Sequence, residues 1–368
     1  MESSNNLVKV SFYRQKQVRY GESVYVSGEI PALGDWNPYR ALKLKWSEGN
    51  NWSGEIYVQA PSDFEYKYFV SYTGEPRPDN IRWEEGSNSK MSVPRRSSLL
   101  GTSGSINDIR VMSFNIRFDN PDDGANCWEN RKDLVANVIK VYGCDFIGIQ
   151  EALFNQINDL QNRLPMYKWY GRGRDEKSEQ GEGVPIFYLG DKWEIEEGNT
   201  FWLSDTPSVP GSKTYGNTLP RICTWARFRN LKTGGKVFIY NCHLDHENSI
   251  SQRKACAQIK CHMAKNCKGC ENIILTGDLN VTPSNEAIQI VSNQEIKMKD
   301  SYNVGVNQSK ATFHYWTGMD DGIRIDYIFA HESINIKEFR IAKDNFKNKY
   351  PSDHFPIISV LTLKSEEY

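Results

Sequence analysis

Arg95-Arg96-Ser97-Ser98-Leu99-Leu100-Gly101-Thr102-Ser103-Gly104-Ser105-Ile106-Asn107-Asp108 carries no sustained apolar period and reads as a flexible connection. The hydrophobic pattern differs on its two sides, so this stretch divides the chain. Upstream, apolar residues alternate with period two: Val8, Val10 and Phe12; Val24 and Val26; Trp52, Gly54, Ile56 and Val58; Phe64, Tyr66, Tyr68 and Val70. Turns bearing Gly and Pro separate these runs, which predicts a small all-β sandwich over residues 1–97. Residues 98–107 form the linker, and a second domain fills 108–368.

In that second domain the period switches repeatedly. Strands are expected at Ile109 to Asn115, Phe146 to Ile149, Val184 to Leu189, Thr224 to Phe228, Val237 to His243, Asn272 to Thr276 and Ile325 to Phe329. Helical spacing appears at Leu134, Val135, Val138 and Ile139 and again over Ser251 to Met263. Strands interleaved with helices predict an α/β (α+β) layered domain with sheets at its centre.

The chain has 368 residues, and 39% of them are apolar, enough for a packed core in each of two domains. Lys and Arg total 45 against 46 Asp and Glu. A net charge of -1 supplies no global field for nucleic acid or anionic lipid, so any polyanion must be held by a local site. No apolar run approaches the roughly 20 residues needed to span a bilayer, and Met1 to Asn6 lacks the features of a secretion signal, which predicts a cytoplasmic protein. All eight cysteines lie between Cys127 and Cys270, and in a reducing compartment they are expected as free thiols. Cys256, Cys261, Cys267 and Cys270, with His262 nearby, are numerous enough for zinc but lack paired C-x-x-C knuckles. Small apolar core residues on a helix face are the alternative.

Polar residues stand where several apolar strands of the second domain end. Asn115, Glu151, His243, Asp278 with Asn280, and Asp326 follow or enter such runs, and Asp353-His354 precedes Phe355-Pro356-Ile357-Ile358. A single carboxylate there is ordinarily a cap or a loop hydrogen bond. As a set they fit phosphoester chemistry. Oxygen ligands such as Glu151 and Asp353 suit Mg²⁺ or Mn²⁺, Asp278 can orient or deprotonate water, and Asn115 and Asn280 can donate to phosphate oxygens. Asp326 can fix the tautomer of His354 and favour its protonated form.

In the front domain, Leu33-Gly34-Asp35-Trp36-Asn37-Pro38 and Ile81-Arg82-Trp83-Glu84-Glu85 place Trp36 and Trp83 beside turns, where flat rings with polar neighbours suit the apolar face and hydroxyl rim of a sugar. Trp52, on the inward phase of its strand, is expected in the core. Together with Gly21-Glu22-Ser23-Val24-Tyr25-Val26-Ser27-Gly28, Phe64-Glu65-Tyr66-Lys67-Tyr68 and Trp83-Glu84-Glu85-Gly86-Ser87-Asn88, this region resembles a family 20 carbohydrate-binding module, the starch-binding domain. The resemblance implies an immunoglobulin-like sandwich that binds starch, glycogen or a related α-glucan, with Trp36 and Trp83 stacking on glucose units and Lys67 and Asn88 bonding to sugar hydroxyls.

Met112-Ser113-Phe114-Asn115-Ile116-Arg117, Gln150-Glu151, Asn241-Cys242-His243-Leu244-Asp245-His246, Gly277-Asp278-Leu279-Asn280, Arg324-Ile325-Asp326-Tyr327-Ile328 and Ser352-Asp353-His354-Phe355-Pro356 resemble the endonuclease/exonuclease/phosphatase superfamily. That resemblance implies a four-layer β-sandwich flanked by helices and a Mg²⁺- or Mn²⁺-dependent hydrolase. Glu151 becomes the central metal ligand, with Asn115 and Asp353 near the ion. Asp278 and Asn280 activate water and hold the phosphate, the Asp326–His354 pair contacts the scissile phosphate, and His243 stands opposite that pair. Arg117 occupies a position that is acidic in some nucleases of the group, which weighs against a second metal. Arg172, Arg174 and Arg221 are candidates for gripping a phosphate or other anion, with ion pairs on solvated loops as the alternative. The expected function is a phosphatase or phosphodiesterase targeted to starch or glycogen. A nuclease acting on nucleic acid or nucleotides, and a glycan-binding scaffold without catalysis, are the other two readings.

Overall fold

The computed structural model describes residues 7–59, 62–72, 80–93, 105–293, 296–304, 310–345 and 349–365. Most of the expected linker, residues 98–104, and the side chain of Val8 lie outside these. The chain divides into two compact units, Met1–Ser103 with Asp344–Lys349, and Gly104–Lys343 with Tyr350–Tyr368.

The front unit contains strands β1 (Leu7–Gln15), β2 (Glu22–Gly28), β3 (Leu42–Lys43), β4 (Lys45–Ser47), β5 (Asn51–Gln59), β6 (Ser62–Tyr72), β7 (Arg82–Trp83) and β8 (Ser89–Val93). They form a three-stranded sheet, β1-β5-β4, and a five-stranded sheet in which β3-β2-β6-β7 run in order and β8 also pairs with β6. The period-two residues meet between these sheets: Val10, Phe12, Val24, Val26, Trp52, Ile56, Val58, Phe64, Tyr66, Tyr68 and Val70 form one buried cluster. Trp52 is in that core, and its indole N–H donates to the Lys16 carbonyl at 2.9 Å, so burial leaves no donor unpaired.

The rear unit has two six-stranded sheets. One runs β11 (Tyr167–Tyr170), β12 (Ile186–Leu189), β10 (Phe146–Gln150), β9 (Asp108–Asn115), β20 (Ile357–Thr362), β19 (Asn335–Ile341). The other runs β13 (Trp193–Trp202), β14 (Ile222–Asn230), β15 (Lys236–His243), β16 (Ile273–Asp278), β18 (Asp326–His331), β17 (Met298–Asp300). Val111, Phe146 and Ile186 of the first sheet share a core with Phe228, Ile239, Ile274 and Ile328 of the second, which makes the pair a sandwich. Alternate residues of the second sheet, including Trp225, Tyr240 and Leu275, face outward onto Ala255, Cys256, Ile259 and Met263 of a covering helix, Ser249–Asn266.

Helices α1 (Trp128–Tyr142), α2 (Phe154–Arg163), α3 (Ser249–Asn266) and α4 (Glu286–Asn293) complete the layers. The Asn248 side chain caps α3 by accepting from the Ile250 and Ser251 amides, and Gly143 ends α1 in the left-handed region at φ 52°. Several elements escaped the periodicity reading, four of them for visible reasons. In β13 a register shift between Ile195 and Glu197 breaks the alternation, and in β11, α2 and β19 polar residues interrupt it.

Cys256 and Cys267 pack in the core over the second sheet and Cys270 lies against it, whereas Cys261 is exposed. His262 stacks on Phe201 at 4.6 Å. Among the described residues, the groups of side chains that could share a metal ion contain none of these cysteines.

Candidate active site at one end of the sandwich

Strand register gathers the site. In the first sheet β9 and β10 run parallel with Asn115 opposite Gln150, so Glu151 follows directly beside Asn115. In the second sheet His243 is opposite Asp278 across a parallel pair, and Asp278 is opposite Asp326 across an antiparallel one. β20 runs antiparallel to β9 with Ile357 opposite Ser113, which places the preceding Asp353 and His354 at the same end.

The two sheets are tied together just below by buried polar groups. Gln150 Nε2 donates to Ser113 Oγ at 3.1 Å and to Asn241 Oδ1 at 2.7 Å across the sandwich. Asn241 Nδ2 donates back to the Ile149 carbonyl at 2.8 Å, and Thr276 Oγ1 donates to Asn241 Oδ1 at 3.1 Å. Gly148 allows this closeness, because a Cβ there would lie 2.0 Å from Thr276 Oγ1.

Above this layer the side chains converge on Asp278, which is 1% exposed. Asn115 Nδ2 donates to Asp278 Oδ2 and to Glu151 Oε1, both at 2.9 Å. His243 Nε2 lies 3.7 Å and His354 Nε2 3.8 Å from the same Asp278 oxygen. The Asn280 amide donates to Asp278 Oδ1 at 2.9 Å, while its side chain donates to the Leu244 carbonyl. Asp326 Oδ2 is 2.9 Å from His354 Nδ1, the expected pair. Arg117, Glu151 and Asn280 adopt left-handed backbone at φ 57°, 61° and 53°. Such conformations cost non-glycine residues about 1–3 kcal/mol each, and they persist where the surrounding structure holds a functional side chain in place.

Electrostatics separate the two histidines. Burial pulls the His354 imidazole down, but the Asp326 carboxylate outweighs it and raises the group to about 10, so His354 is an imidazolium at neutral pH. Burial, with Arg221 and Arg174 adding to it, holds His243 well below the ordinary histidine range, so that ring is neutral. Asp278 is pushed up to about 7 by burial and by neighbouring Asp326. Asp353 is raised by burial and by Glu151.

The donor set fits a hard divalent cation. Glu151, His243 and Asp278 offer ligand atoms within 4.8 Å of one another, and neutral His243 has a lone pair to give. Glu151 and Asp353 are carboxylates whose mutual repulsion a cation would relieve. Arg117 turns into an ion pair with Asp123 at 3.0 Å, and it also lies within electrostatic reach of Glu151 and Asp353.

Of the three candidate anion-gripping arginines, Arg174 and Arg221 stand beside His243 and Arg172 does not. Arg174 is ion-paired with Glu182 at 2.8 Å, and Glu182 lies 3.8 Å from His243 Nδ1. Arg221 Nη2 contacts His246 Nδ1 at 2.9 Å, with Asp245 at 3.9 Å. Arg172 instead stacks over Trp202 at 4.8 Å and lines a cavity of about 730 Å³ that contains none of the residues around Asp278. Glu182 was invisible to pattern reading, because its loop has no period and its role comes from proximity alone. Arg131, part of Trp128-Glu129-Asn130-Arg131, was given no role from sequence. Its buried guanidinium donates to the carbonyls of Ile116, Arg117, Asn126 and Pro351, which ties the segments after β9 to the one before His354.

In the front unit, Gly34, Asp35 and Trp36 all have positive φ, a turn that sets the Trp36 ring 6.4 Å from Trp83. Trp83 is 38% exposed and rests on Phe69 at 4.7 Å. Lys67 Nζ donates to the Gly86 carbonyl at 2.6 Å, and Asn88 Nδ2 to Glu65 Oε2 at 3.0 Å, so both polar candidates are held on the strand and loop next to Trp83.

Residues 112–354 match the model of the Endonuclease/Exonuclease/phosphatase family. The chain belongs to that family. Residues 7–102 match the model of the starch binding domain, in the order expected. Members of the catalytic family are hydrolases of phosphoesters. Among solved structures, a family member from Bacteroides vulgatus is 36% identical with a TM-score of 0.67, over 70% of this chain and 99% of that one. A mannosyl-6-phosphatase from Bacteroides thetaiotaomicron is 31% identical with a TM-score of 0.65, over 69% of this chain and 99% of its own. The front unit is similar to part of Glucoamylase-1 from Schizophyllum commune, 31% identical over 28% of this chain but only 16% of that enzyme. Among the described residues no helix is long and apolar enough to cross a membrane.

Proposed function

We propose that this protein is a Mg²⁺- or Mn²⁺-dependent phosphoester hydrolase that its front module tethers to starch, glycogen or a related α-glucan. The observation that carries the reading is the convergence on Asp278 of a neutral and a charged histidine, an asparagine and two further carboxylates. Glu151, Asn115 and Asp353 would hold the cation, whose charge would offset that of the phosphate oxygens. Asp278, poised near neutrality, takes the proton of the attacking water. Asn280 and the His354 imidazolium donate to the phosphate, and Asp326 keeps His354 charged and oriented. Neutral His243 donates from the other side of Asp278. Arg174 and Arg221 would help bind an anion only partly, since Glu182 and Asp245 face them.

The likeness to a mannosyl-6-phosphatase supports a phosphorylated sugar over a polynucleotide, as does the net charge of -1. The number and spacing of the cysteines suit thiols rather than a disulfide framework, which supports the cytoplasm as its compartment.

The test is a hydrolysis panel of hexose phosphates, phosphorylated glucan, inositol phosphates, RNA and DNA, each with Mg²⁺, Mn²⁺ and chelator. Phosphate release from sugar esters that chelator abolishes and added metal restores is the expected result. Metal-independent hydrolysis, or none with any ester, would remove the reading. A separate measurement concerns targeting. Trp36→Ala and Trp83→Ala are each expected to weaken co-sedimentation of the full chain with starch about 3- to 10-fold, the usual worth of one aromatic stacking contact, without changing hydrolysis of a soluble ester. Unchanged sedimentation in both variants would mean that these rings do not bind the glucan.

A further inference from the structure

The loop after residue 310 carries three aromatic residues, Phe313, Tyr315 and Trp316, and sets Phe313 against His354 of the site. It is anchored on catalytic backbone. The His314 amide donates to the Asp353 carbonyl at 2.9 Å, the Phe355 amide donates to the Thr312 carbonyl at 2.7 Å, and Thr312 Oγ1 accepts from the Ile325 and Asp326 amides. His314 is buried and stacked on Phe355 at 4.0 Å, and its Nδ1 accepts from the Gly318 amide. Phe313 lies against the His354 ring at 4.9 Å, and Tyr315 meets Phe313 edge-on at 6.0 Å.

These anchors hold the loop without help from Tyr315. Its side chain is nevertheless 71% exposed, and both it and Trp316 sit in the left-handed region, at φ 48° and 68°. Two successive non-glycine residues in that region, one a bare aromatic, add strain and exposed apolar surface that the fold does not need. Trp316 covers the Arg131 guanidinium at 5.1 Å, which accounts for its own position but not for that of Tyr315.

We propose that Tyr315, backed by Phe313, is a stacking platform for the sugar ring of the leaving group, and so a specificity-determining residue for phosphate esters of sugars. The inference rests on the phosphoesterase reading and names its substrate class. A phosphate beside His354 puts its ester-linked ring next to Phe313 and Tyr315, where the C–H face of a hexose can lie on an aromatic face. A sugar is favoured over a nucleobase because the same chain carries a starch binding domain and no net positive charge.

The experiment compares full-length wild type, Tyr315→Ala and Tyr315→Trp on hexose 6-phosphate, on glycerol phosphate, which has no ring, and on a nucleoside monophosphate. Tyr315→Ala is expected to raise KM for the hexose ester about 3- to 10-fold with kcat little changed, to leave glycerol phosphate unaffected, and to be rescued by Tyr315→Trp. Equal effects on hexose and glycerol esters, no effect on either, or an effect confined to the nucleotide would each overturn the proposal while leaving phosphoesterase activity standing. A wild type that hydrolyses no ester would overturn both.

Discussion

Asp278→Asn is expected to lower kcat/KM on any phosphoester about a thousandfold while the protein stays folded, with a melting temperature equal to that of wild type or higher. The size follows from losing the one carboxylate placed to take a proton at the centre of the site. The unchanged stability follows from burial. Asp278 is 1% exposed and its carboxyl is pushed up to about 7, so the fold tolerates the charge rather than drawing strength from it. An amide of the same shape keeps one oxygen to accept from Asn115 Nδ2, and it sets one N–H against the Asn280 amide, a mismatch worth about 1 kcal/mol that removal of the buried charge offsets. Steady-state kinetics with calorimetry on the same sample reads both quantities. Retention of more than a tenth of the activity would take Asp278 out of the chemistry.

Gly148→Ala acts on the other side of that balance, on the fold rather than the reaction. The added methyl would sit 2.0 Å from Thr276 Oγ1 and 2.6 Å from Asn241 Oδ1, two atoms held by hydrogen bonds to backbone and to each other. Neither can move without breaking the polar layer that joins the sheets. The substitution is therefore expected to destabilise the rear unit by about 3 kcal/mol or more, a fall in its melting temperature of roughly 6–12 °C. Thr276→Ala in the same chain should recover part of the loss, because it removes the nearer clash and leaves the Asn241 one. Normal stability of the single variant would mean that the sheets separate locally at little cost.

The candidate residues that converge on Asp278 could be named before any fold was known. Asn115, Glu151, His243, Asp278, Asp326, Asp353 and His354 each stand at the end of an apolar run, and a strand end is a local property of the sequence. The change of hydrophobic period across residues 95–108 could be read for the same reason, because that period is a local property. Glu182, Arg131 and Tyr315 could not be given their roles. Each sits in a loop or on a helix without a distinguishing pattern, and each matters through a neighbour distant in the chain: His243, Pro351 and, by way of Phe313, His354.

The residue types and their spacing determined by themselves that the chain alternates strands with helices behind a β-rich front, and which polar side chains stand at strand ends. Sheet order and register decided the rest. Asp278 meets Asn115 across 163 residues because parallel and antiparallel pairings bring their strands to one end of the sandwich. The different charge states of His243 and His354 arise there as well, since an imidazole's protonation depends on its burial and on the carboxylate beside it, which chain neighbours alone do not set.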